Sequence, residues 1–138
     1  MPHWRAGLVL AALTFAAAAQ EPAQVDSAEA TMGQVIYSRY CAACHGRAGA
    51  GDGPVAPGLV RKPTDLTALA ARNGGKFPYD KVARTIDGRQ TPRAHGTPDM
   101  PVWGEIFGKT TGTEAPSVEA AVSRITHYVW SLQAEKKK

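Results

Sequence analysis

The chain of 138 residues is long enough for one compact domain with its own core and too short for two ordinary ones. Its net charge of +4 falls to +3 once Arg5 leaves with a leader, and Lys136, Lys137 and Lys138 supply that whole excess, so nothing calls for a basic stripe of the kind that binds nucleic acid.

Met1 to Arg5 form a positive head, and residues 6–19 are an uninterrupted stretch of small and apolar residues that includes Gly7 and Thr14. Ala17 and Ala19 suit a small-x-small cleavage site, so residues 1–19 read as a signal peptide and residues 20–138 as the mature domain, with a core over about 27–134. The apolar run is shorter than the ~20 residues that span a bilayer, and no cysteine stands near the cleavage site to take a lipid. Export with no permanent membrane anchor is the expectation, an uncleaved anchor the alternative. The two cysteines, Cys41 and Cys44, then meet an oxidising compartment and have to be used together.

After an acidic stretch with Glu21, Pro22 and Asp26, Met32, Val35, Ile36 and Tyr40 recur at helical spacing, and Asp26 with Glu29 three places on resembles a capping box. The pattern predicts a helix over 27–40 that delivers the chain to Cys41. Residues 46–63 are dense in Gly and Pro and predict an ordered loop without long elements. A phosphate-loop reading of Gly49 to Gly53 fails, because no Gly-Lys-Ser/Thr follows and no strand precedes. Short helices are predicted over 65–72, ended by Gly74 and Gly75, and over 78–87, ended by Gly88. An irregular stretch over 89–101 surrounds Met100, and a loop that long in a small domain usually serves function. One or two turns follow over 102–109. Ser117 caps a last helix to about 134, with Ala121, Val122, Ile125, Val129 and Leu132 near one stripe. No strand alternation occurs, so the class is all-α.

Cys41-Ala42-Ala43-Cys44-His45 is the haem c attachment motif. Two intervening residues set both sulfurs along one porphyrin edge, where each can add to a vinyl group, and His45 is then placed to ligate the iron. A thioredoxin-type dithiol needs a preceding strand, which is missing. A zinc site needs a second ligand pair, and His95 and His127 lie at no recognisable spacing.

Gly33, Tyr37 and Cys41, spaced as Gly-x-x-x-aromatic-x-x-x-Cys, together with this motif, make the chain resemble the class I c-type cytochromes, monohaem bacterial periplasmic proteins, over most of the mature chain. The resemblance implies a class I cytochrome c fold: N- and C-terminal helices that cross at Gly33, Tyr37 packed on the last helix near Ile125, Tyr128, Val129 and Leu132, and short helices and loops wrapping one haem. It implies that the Pro57 carbonyl accepts the Nδ1 proton of His45, that Leu59 packs on the ring, and that Met100, followed by Pro101, is the distal iron ligand. His95 is the rival ligand. Met32 reads as a core gap-filler and His127 as a partly exposed helical residue. Trp103 and Arg61 are candidates for haem propionate contacts, with a core aromatic and a solvated charge as their plainer readings.

The cofactor implied is one haem c, covalent through Cys41 and Cys44. A His/Met pair fills both axial positions, which suits one-electron transfer and disfavours catalysis. The chain therefore reads as a periplasmic electron carrier, not an enzyme, that meets redox protein partners transiently. Two alternatives remain: the cytochrome subunit of a periplasmic dehydrogenase or oxidase complex, and a haem protein with an open distal site for ligand sensing or peroxide chemistry.

Overall fold

Asp26 starts the first helix because its carboxylate accepts from two backbone N–H groups that no helical carbonyl reaches, those of Ala28 at 2.9 Å and Glu29 at 3.0 Å. The computed structural model describes residues 24–90, 100–110 and 115–133, and among these every regular element is helical. The leader, His95, most of the stretch 89–101 and the terminal lysines lie outside the described residues.

Helix α1, Ser27–Tyr40, buries Ala30, Gly33 and Tyr37. Helix α6, Val118–Ser131, begins where the Ser117 hydroxyl accepts from Ala120 N at 3.1 Å and buries a stripe that includes Val122, Ile125 and Val129. The two helices cross at Gly33, where an added Cβ would strike the Arg124 carbonyl and lie 3.1 Å from Ile125 N. Next to the crossing the Tyr37 and Tyr128 rings pack with centroids 4.9 Å apart.

Two side chains depart from their expected roles. Met32 is 39% exposed rather than a gap-filler, because α1 turns its Ala30, Gly33, Tyr37 face to α6 and leaves Met32 and Val35 on the other side. His127 is only 6% exposed, with the Tyr79 and Trp130 rings 5.2 Å and 6.1 Å away. Its Nδ1 accepts the Asp26 N–H at 3.0 Å, the donor a capping box would give to Glu29, while Glu29 faces Arg124 Nε at 3.7 Å.

The remaining elements bridge the crossed pair. Helix α2, Ala42–His45, follows α1 at once. The stretch 65–72 splits into a 3₁₀ turn, Leu66–Ala68, capped by Asp65, and α3, Leu69–Arg72. Helix α4, Tyr79–Asp87, ends at Gly88 in a left-handed conformation, φ +69°. Helix α5, Trp103–Gly108, packs Trp103 and Phe107 against Tyr40 at centroid distances of 5.6 and 5.7 Å. The last helix stops at Ser131, short of the expected 134, and Gln133 folds back as a clamp. It accepts from Ala70 N at 2.8 Å and donates to Leu66 O at 2.8 Å, tying α3 to the end of α6.

Candidate functional site

Cys41 closes α1 with its N–H on the Tyr37 carbonyl at 2.8 Å, and α2 rises directly from it. Cys41 and Cys44 are three apart on this turn and therefore share a side of it. His45 stands one turn beyond Cys41, its N–H on the Cys41 carbonyl at 2.9 Å. The Gly-rich loop then doubles back along α2: Gly51 N bonds His45 O at 2.8 Å, Gly53 N bonds Cys44 O at 3.1 Å and Val55 N bonds Ala43 O at 3.1 Å. These bonds satisfy the open carbonyls of a four-residue helix and fix its orientation. The buried Tyr37 hydroxyl, donating to Gly46 O at 2.7 Å, locks the same turn to α1.

His45 Nδ1 lies 3.1 Å from the carbonyl of Thr64. The expected acceptor, the Pro57 carbonyl, is not the one used. Pro57 sits inside a 3₁₀ turn, Ala56–Gly58, whereas Leu66 N on Gly49 O at 2.7 Å pins the segment before Leu66 to the loop that follows His45. A carbonyl only accepts, so Nδ1 carries the ring proton and Nε2 keeps a free lone pair. Burial pushes the imidazole below its ordinary 6.5, partly opposed by the Thr64 bond, so the ring is neutral at pH 7.

Two adjoining cavities of about 260 and 460 Å³ flank this histidine and share Cys41, His45, Thr64 and Met100 as walls. Their sizes fall in the ~300–1,000 Å³ range of cofactor clefts once taken as one interior. The larger is walled by Leu66, Leu69, Val82, Ile86, Ile125 and Val129. The smaller carries Tyr40, Leu59, Arg61 and Trp103. Of the six sequence candidates, Cys41, Cys44, His45, Leu59 and Met100 thus line one interior, and Pro57 is not among its described walls. No disulfide joins Cys41 to Cys44, so both sulfurs remain available to a covalently held group, and burial of Cys41 disfavours an isolated thiolate there.

A sequence model for cytochrome c matches residues 30–133. The chain belongs to the cytochrome c family. Searches of curated proteins and of solved structures return no match. Membership implies haem-based electron transfer with covalently held haem c and redox protein partners, and it fits an exported protein. No helix among the described residues is long and apolar enough to cross a membrane.

The residues fit the group that a cytochrome c carries. Two cysteine sulfurs not joined to each other, a neutral imidazole with an open nitrogen and a thioether border one largely apolar space, and the cations Arg61, Lys62, Arg72 and Lys81 on its walls can meet carboxylates. Thr64 escaped sequence reasoning because a backbone acceptor has no residue-type signature. The usable hint was a second proline, Pro63, directly before Thr64 and the Asp65 cap.

Proposed function

We propose that this cytochrome c is a periplasmic one-electron carrier with a single haem c, bonded through Cys41 and Cys44 and ligated by His45 and Met100. The observation that carries the reading is the convergence of these four side chains on one interior, with the His45 imidazole neutral and hydrogen-bonded. Bound haem supplies an iron that changes oxidation state by one electron. His45 would hold the iron through Nε2, since the Thr64 carbonyl takes its Nδ1 proton, which fixes the ring and makes it a better donor. The Met100 thioether is a soft neutral donor that would favour reduced iron and would compete with an external ligand. Apolar walls keep water off, and Arg61 is the candidate partner for a haem propionate. The N-terminal pattern supports export by a signal peptide spanning 1–19.

Expressed with its leader in a host that matures c-type haem, the ferric protein is expected to show the red charge-transfer band of methionine sulfur on iron, and Met100→Ala to lose it. Covalent haem without the band in the parent protein overturns the His/Met carrier reading in favour of an open distal site. The band remaining in Met100→Ala overturns the ligand assignment.

A further inference from the structure

The chain leaves α4 at Asp87 and enters α5 at Trp103, and Met100 lies on the excursion between them. The two ends of that excursion touch. A Cβ on Gly88 would stand 3.3 Å from Val102 Cγ1, so the turn after α4 packs directly on the residue two places past Met100. Arg89 then folds back on Asp87 as a fork, Nε to Oδ1 at 2.6 Å and Nη2 to Oδ2 at 3.0 Å, and Nη2 also reaches Glu119 Oε1 at 3.3 Å at the start of α6. The pair rests on Gly104. A Cβ there would collide with Asp87 Oδ1 and lie 2.6 Å from Arg89 Nε and 2.8 Å from Arg89 Cγ. Gly104 is buried inside α5 and has no positive φ, so its backbone imposes no need for glycine; the seat does.

We propose that the Asp87–Arg89 pair, seated on Gly104 and reaching Glu119, is a positioning clasp that holds Met100 in place as an iron ligand. The proposal rests on the His/Met reading above. A methionine on a loop binds iron with a strength set by how often the loop presents the sulfur, and tying the loop's ends together raises that effective concentration. The pair sits where it can do this and is charged at neutral pH, since the Arg89 hydrogen bond holds the Asp87 carboxyl below its ordinary 3.8. Side-chain exposures of 40% for Arg89 and 24% for Asp87 keep the expected effect modest, and Glu119, at 75%, contributes least.

The test measures imidazole binding to the ferric holoprotein at pH 7, followed by loss of the red charge-transfer band, for the parent and for Arg89→Gln, Gly104→Ala and Glu119→Gln. Gly104→Ala separates positioning from bulk stability: alanine suits a helix better than glycine, while its methyl evicts the flexible pair from its seat. The expected result is an imidazole affinity about three- to fivefold higher in Arg89→Gln and Gly104→Ala, a change under twofold in Glu119→Gln, and a thermal midpoint for Gly104→Ala no lower than the parent's. Affinities of both key variants within twofold of the parent, whose band is intact, overturn the clasp alone. A parent without the band overturns the His/Met reading and the clasp with it. Should Gly104→Ala fold poorly, Arg89→Gln decides.

Discussion

Gly33→Ala opposes two effects of known sign. In an isolated helix the change favours α1 by about 1 kcal/mol. In the folded domain the new methyl meets the Arg124 carbonyl and Ile125 N, both backbone atoms of α6 that cannot swing aside. The helices have to part by about 1 Å, and a gap of that size forfeits roughly a quarter to a half of the dispersion energy across the affected contacts. Those contacts include Tyr37 and Ile125, each 1% exposed. Overpacking of this kind costs up to about 3 kcal/mol, so the net loss is about 2 kcal/mol, which for a domain of this size lowers the thermal midpoint by roughly 8 °C. The assay is thermal unfolding of the holoprotein by far-ultraviolet circular dichroism, with Gly58→Ala as control, since a Cβ at Gly58 meets nothing within 4 Å. A Gly33→Ala protein as stable as its parent would mean that α1 and α6 do not cross where they are described.

Pro57→Ala is expected to leave the His45 Nδ1 proton resonance and the reduction potential of the holoprotein unchanged, because the acceptor is Thr64; a clear shift in either would restore Pro57 to that role. Asp65 accepts from Thr67 N and Thr67 Oγ1, and these bonds hold its carboxyl below the ordinary 3.8. A depressed folded value contributes stability that is present above the unfolded value and lost as pH falls through the folded one. The urea midpoint should therefore drop below about pH 3.8, and Asp65→Asn should show a shallower drop than the parent; equal slopes would remove Asp65 from the acid response.

Local chemistry made most elements legible. Asp26, Gly88 and Ser117 are cap residues whose side chain or φ ends or starts a helix whatever lies around it, and each does so here. The attachment motif was equally plain, since its five residues form one local turn. Long-range choices were not legible. The orientation of α1 about its axis, which exposes Met32, depends on where α6 lies. His127 is buried by the Tyr79 and Trp130 rings, and it accepts from Asp26 N, 101 positions away. The Thr64 carbonyl replaces that of Pro57 because the Gly49 carbonyl pins Leu66. A proline spaced as in the family was a statement about resemblance, and the backbone hydrogen bonds of this particular loop decided otherwise.

The most direct measurement is the mass of the denatured, extracted mature protein after expression in a host that attaches haem, together with thiol titration. The expected result is one haem added to the polypeptide mass, no titratable thiol, and loss of that mass in the Cys41→Ala, Cys44→Ala double variant. Two free thiols on a polypeptide of unmodified mass would contradict the central claim.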